Sequence, residues 1–211
     1  MKNIKKPIII SGIPRSGTTP LGIVLSSIKG FSMIYEPFNA NQGIIDAQFN
    51  YPYPSKNISV EEFQSIFNNL LLFKSSFKKG YLKNDSLAKR ILKTFFGNES
   101  SLSYFKAKKS LSTDQLLIKD PFLLFCSKEL CLNHKVIICY RPLMALAGSF
   151  KRMKWDFKEF EDLINFFPPN SIKSYRFKAS EKISSNVIGA IQFYELFYPV
   201  SYTHLTLPTM S

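Results

Sequence analysis

Residues 7–11 read PIIIS, an unbroken β-branched run with no polar alternation, which predicts a strand buried on both faces. A glycine-rich turn follows, GIPRSGTT (residues 12–19), and Pro20 then opens an apolar-periodic stretch, PLGIVLSSI, that predicts a helix. FSMIY (31–35) predicts a second strand ending at Glu36-Pro37. Residues 116–118 predict a strand that ends at Lys119-Asp120. There Asp120 can cap, and Pro121 begin, a helix over PFLLFCSKEL. KVIICY (135–140) reads as another buried strand, running through Arg141-Pro142 into a helix over LMALAGSFKRMKW. Strands alternating with helical stretches predict an α/β fold, a central parallel sheet flanked by helices in three layers. In such sheets ligands bind outside the carboxyl ends of the strands.

The middle of the chain, residues 39–113, departs from that alternation. Tyr51-Pro52-Tyr53-Pro54 reads as a loop, Ser59 with Glu62 resembles a capping box ahead of FQSIFNNLLLF, and residues 86–96 predict an amphipathic helix. The stretch has no repeat and no chemical motif, so it reads as a helical insertion, the usual place for substrate specificity on an α/β frame. A further helix is predicted over residues 183–198. The tail from Val200 to Ser211 resembles translated adapter read-through, so the expected organisation is one domain over residues 1–199, truncated at its C-terminus, followed by a non-native tail at 200–211.

Composition adds bounds. At 211 residues and 45% apolar, the chain can bury one ordinary core, and no stretch reaches the roughly 20 apolar residues of a membrane span. Three cysteines, Cys126, Cys131 and Cys139, form no disulfide or zinc pattern, which points to a reducing cytoplasm and to no metal. The net charge of +13 raises nucleic acid as a partner. Yet the 28 basic residues comprise only five Arg, and the 23 Lys are scattered, so solvated lysines with an anionic-ligand site fit better than nucleic-acid binding.

The candidate chemistry begins in the loop from Gly12 to Thr19. Its G-x-x-x-x-G spacing between a strand and a helix is that of a P-loop, which cradles anions with backbone N–H groups at a helix N-terminus. The lysine of a nucleotide triphosphatase is absent, Thr18 standing in its place, while Arg15 supplies a cation within the loop. Such a loop binds a phosphate-like group but makes a poor ATPase site.

PRSGTT directly after a hydrophobic strand resembles the 5′-phosphosulfate loop of the sulfotransferases that use PAPS (3′-phosphoadenosine-5′-phosphosulfate). The resemblance implies that Pro14, Arg15, Ser16, Gly17, Thr18 and Thr19 bind the donor. It also implies a later Arg and Ser eight residues apart for the donor's 3′-phosphate, a pair present here as Arg141 and Ser149. Lys119 in IKDPF is similar to the Lys-Asp-Pro-Phe segment of tyrosylprotein sulfotransferases, and YEPFN to the Glu-Pro segment that carries a catalytic glutamate in several carbohydrate and tyrosylprotein members.

Sulfuryl transfer is an in-line displacement that needs donors on the moving group, a cation near the leaving oxygen and a base for the acceptor hydroxyl. These roles fall to Arg15 with the loop, to Lys119, and to Glu36. Neither histidine is well placed for the base, since His134 precedes a strand and His204 lies in the tail. The expected reaction moves a sulfuryl group from PAPS to the hydroxyl of an acceptor, a carbohydrate or glycolipid, leaving PAP and needing no metal. Two alternatives stand beside it: a P-loop nucleotide or small-molecule kinase, and a non-catalytic truncated sulfotransferase fold that only binds nucleotide.

Overall fold

The computed structural model describes residues 5–48, 50–80, 86–110 and 112–154, together with Val187, Ala190, Ile191, Tyr194 and Glu195. The chain divides into two compact units, one of Met1–Gly12 with Thr18–Ile138 and one of Ile13–Gly17 with Cys139–Ser211.

The first unit carries a four-stranded sheet in the order β2-β3-β1-β4, with β1 at Lys5–Gly12, β2 at Phe31–Tyr35, β3 at Gln115–Lys119 and β4 at Lys135–Cys139. β3 pairs in parallel with both β1 and β2. The register sets Ile10 and Tyr35 opposite Lys119, so β2 and β3 end at one level while β1 runs two residues further to Gly12. The unbroken apolar runs place Ile9, Ile10, Ile34, Leu116, Leu117 and Ile118 out of solvent. Side-chain alternation then sends Ile9, Ile34, Leu116 and Ile118 to one face, where they form a core with Phe38, Phe63, Phe67 and Leu70. The rings of Phe38, Phe63 and Phe67 lie 5.9–6.3 Å apart. On the other face lies α1 (Thr18–Ser26). Its Gly22 leaves no room for a side chain, since a Cβ there would sit 2.7 Å from Met33 Sδ and 3.3 Å from Lys119 Cγ.

Three helices occupy the middle of the chain: α2 (Val60–Leu71), α3 (Leu87–Phe96) and α4 (Glu99–Lys109). Ser59 caps α2, its Oγ accepting from Glu62 N at 3.0 Å, as the Ser/Glu spacing predicts. A capping box formed by Asn98 and Ser101 starts α4, which the apolar pattern does not announce. After β3 the chain differs from the expected single helix. Pro121–Cys126 is a 3₁₀ segment and only α5 (Ser127–Cys131) is α-helical. Helix α1 starts two residues before Pro20, which occupies its first turn, where a missing N–H costs no bond. β4 corrects a further expectation. It ends at Cys139 and, among the described residues, is an outer strand with Lys135 and Ile137 exposed, so its apolar run is not that of a fully buried strand.

In the second unit, α6 (Leu143–Met153) buries Leu146, Ala147, Ser149 and Phe150 along one stripe. Val187, Ala190, Ile191, Tyr194 and Glu195 are helical. The rest of the helix predicted over 183–198, and the tail at 200–211 with His204, lie outside the described residues.

The turn after β2 is tightly folded. Gly43 N donates to Asn39 O at 2.7 Å and Ile44 N to Pro37 O at 2.8 Å. A Cβ on Gly43 would meet Pro37 O at 2.1 Å and Asn39 O at 2.7 Å, both backbone atoms. Gly43→Ala is therefore expected to lower stability in urea denaturation by about 1–3 kcal/mol. Gly148→Ala, in an exposed helical position with nothing within 4 Å, should gain up to about 1 kcal/mol. Equal stability of the two variants would refute the close packing of this turn.

Candidate active site

The carboxyl edge of the sheet gathers charge. Lys119 ends β3 almost fully buried, 2% exposed, and Glu36 follows β2. Lys119 Nζ pairs with Glu36 Oε1, and the Glu36 N–H donates to Lys119 O at 2.8 Å, so backbone and side chain join the same two residues. Glu36 Oε2 accepts from Asn39 Nδ2 at 3.3 Å. The Lys119 ammonium also stands 4.2 Å from the centroid of the Tyr35 ring, a cation–π contact. Burial and the neighbouring Glu36 carboxylate push the Tyr35 phenol up, although Lys119 and a hydrogen bond with Thr19 act against them. A buried pair of this kind gives up hydration on both ions, so removing one partner strands the other.

Glu36 has φ of +42°, in the left-handed region that costs a non-glycine residue energy. Asp120 holds the backbone around it. Fully buried, Asp120 accepts from Phe38 N at 2.7 Å through Oδ2 and from Phe122 N at 2.9 Å through Oδ1, and its own N–H donates to Ile10 O at 2.9 Å. The sequence marks Asp120 only as a helix cap ahead of Pro121. The structure adds that the same carboxylate fastens the turn after β2. Burial, and then Glu36, lift its carboxyl from the ordinary 3.8 to about 8, against the pull of the two backbone N–H groups and Lys119. Tyr51 is also buried here, its phenol pushed well up by burial and by Glu36 and Asp120, and its ring meets Phe122 edge-on at 5.0 Å.

The second unit contains a separate polar cluster. The Ile13–Gly17 segment folds as a tight turn with Ser16 N donating to Ile13 O at 2.9 Å. Arg15 has φ of +72° and Gly17 +103°, so two left-handed residues stand one apart. Arg15 Nε donates to Ser149 Oγ at 3.1 Å, and Arg141 Nη1 donates to Arg15 O at 2.9 Å. Three residues nominated at distant points of the sequence thus meet. Tyr194, which no motif singles out, donates its hydroxyl to Arg141 O. Pro14 is buried, and Ser16 Oγ is buried with no hydrogen-bond partner among the described residues. Thr18 and Thr19 belong to the first unit, where Thr18 opens α1 and is 3% exposed.

The nominated residues therefore fall into two groups: Glu36 and Lys119 with Thr19 at the sheet edge, and Arg15, Arg141 and Ser149 around the turn. Tyr35, Tyr51, Asp120 and Tyr194 are the additions. Only Asp120 carried a legible signal, its place between Lys119 and Pro121. Among the described residues no helix is long and apolar enough to cross a membrane. The chain matches no family model, no curated protein and no solved structure.

The raised carboxyl of Asp120 gives stability a pH dependence. The folded chain keeps a proton that the unfolded chain releases between the ordinary 3.8 and about 8. Its contribution is thus fully present below that window and declines as pH rises through it. Asp120→Asn, which cannot release a proton, should flatten this decline in melting temperature measured from pH 4.5 to 8.5. At the acidic end the variant should be the less stable of the two, because an amide accepts one of the two backbone N–H bonds and opposes the other. Parallel melting curves for the two proteins would refute the shift.

Proposed function

We propose that the chain is a PAPS-dependent sulfotransferase with a P-loop-type fold, acting in the cytoplasm on the hydroxyl of a carbohydrate or glycolipid. The observation that carries the reading is the meeting of Arg15, Arg141 and Ser149, residues that the two donor motifs nominate independently. Ser16 fits the same reading, since a buried hydroxyl without a partner suits a site that receives an oxyanion. What joins this cluster to the sheet-edge pair is the order of the motifs along the chain.

In this reading, the turn from Pro14 to Gly17, with Thr18 and Thr19, binds the 5′-phosphosulfate through N–H and hydroxyl donors. Arg141 and Ser149 bind the 3′-phosphate. Glu36 takes the proton of the acceptor hydroxyl as its oxygen bonds to sulfur. The bond from sulfur to the bridging oxygen breaks, and the negative charge left on the 5′-phosphate is stabilised by Lys119 and Arg15. No part of this needs a protein metal site, because the cations are side chains.

Calorimetric titration with PAP tests the donor site. Binding is expected for the wild-type chain, weakened roughly ten- to a hundredfold in Arg141→Ala, the scale of a lost charged hydrogen bond. A folded protein that ignores PAP and binds magnesium-ATP instead would transfer the assignment to a kinase. The base is tested by PAP release from PAPS in the presence of glycoside acceptors. Glu36→Gln should slow release about 10²- to 10⁴-fold while leaving PAP affinity unchanged. Unimpaired turnover in that variant would remove Glu36 from the chemistry.

A further inference from the structure

A cleft of about 580 Å³ runs along the outer edge of β2 in the sheet-bearing unit, within the roughly 300–1,000 Å³ of small-ligand sites. Helix α4 forms one wall and contributes Glu99, Ser103 and Lys106, while the end of α1 contributes Ser26. The strand presents Phe31 and Tyr35. Ser103 ties wall to strand, since its Oγ accepts from Tyr35 N at 2.9 Å.

The hydrogen-bonding capacity of this lining is mixed, since the hydroxyls of Ser32, Tyr35 and Ser110 also line it. Ser26 spends its hydroxyl proton on Ile23 O at 2.9 Å, and Ser103 spends its own on Ser100 O at 2.8 Å. Ser26 is left with oxygen lone pairs, and the Glu99 carboxylate only accepts. Lys106 only donates. Among the described residues neither Glu99 nor Lys106 has an ion-pair partner. Acceptors, hydroxyls and a single cation together suit a ligand rich in O–H groups, which both donate and accept. Phe31 and Leu102 add apolar surface for C–H faces. An acidic ligand would meet the Glu99 carboxylate and the lone pairs of Ser26, and an apolar one would leave the polar lining without partners.

We propose that this cleft binds a neutral glycoside of one or two rings and serves as the acceptor subsite. The binding chemistry stands on the lining alone, whereas the acceptor role rests on the function proposed above. Position supports that role. The cleft reaches Tyr35, whose ring carries the Lys119 ammonium at 4.2 Å and whose next residue is Glu36. A ring seated against Tyr35 would therefore approach the proposed base from along β2.

Amide shifts in ¹⁵N-labelled protein titrated with lactose and cellobiose test this, with succinate and cyclohexanol as acidic and apolar comparisons. At least one disaccharide should produce saturating shifts confined to residues 31–35 and 99–110, with succinate and cyclohexanol producing none there. Affinity should fall fivefold or more in Glu99→Gln/Lys106→Ala. The proposal is overturned if neither sugar perturbs these amides, if the double variant binds equally well, or if a comparison ligand is preferred. PAP calorimetry on the same wild-type sample separates the two readings. PAP binding beside a silent cleft sinks the subsite and spares the donor assignment. Sugar binding without PAP binding keeps the glycoside cleft and removes its acceptor role.

Discussion

The contact between Glu36 and Lys119 is the constraint around which the sheet edge is arranged. A lysine that is 2% exposed needs a counter-charge, and the chain supplies it from the adjacent strand end at the same register level. Bringing the carboxylate there forces Glu36 into a left-handed backbone. That conformation is held by Asp120 on Phe38 N, by the Glu36 N–H on Lys119 O and by the tight turn through Gly43. Each of these in turn requires something nearby. Asp120 must be buried, Gly43 must lack a side chain, and Gly22 must leave the space along which the Lys119 stem runs.

The second unit repeats the theme with a different balance. Arg15 also sits at positive φ, and among the described residues its guanidinium meets a hydroxyl where Lys119 meets a carboxylate. Its partner is the hydroxyl of Ser149, and its carbonyl is taken by Arg141. Among the described residues the cluster holds two arginines and a serine beside a turn whose Ser16 hydroxyl has no partner there. The sheet-edge contact pairs opposite charges, whereas the contacts shown in this cluster join an arginine to a hydroxyl and an arginine to a carbonyl.

Much of the frame was legible because it rests on local pattern. The run at 31–35 is bounded by Gly30 and Glu36-Pro37, and β2 spans those same residues. Ser59 caps α2 because a short hydroxyl followed three residues later by Glu is a local signal. Helix α4 was hidden for the opposite reason. ESSLSYFKAKK buries Ser100, Ser101, Tyr104 and Ala107, a stripe half made of serines that apolar periodicity passes over. β4 misled because Val, Ile and Cys look the same in an outer strand as in a central one. Among the candidate residues, the place of Lys119 and Glu36 at strand ends was readable, but their pairing was not. It depends on β2 and β3 being neighbours, a tertiary fact that neither segment encodes alone. Tyr35 was passed over as an ordinary strand residue for the same reason.

Helix α4 serves two masters with different tolerances. Tyr104 and Ala107 anchor it in the core, while Leu102, Ser103 and Lys106, interleaved with them, face the open cleft. Leu102 and Lys106 contribute little to burial, so replacing them is cheap in folding free energy even where it changes what the cleft accepts, whereas Ser103 is held by its bond to Tyr35 N. A lineage carrying this helix could therefore drift between ligands by exchanging a few exposed residues, without passing through sequences that fail to fold.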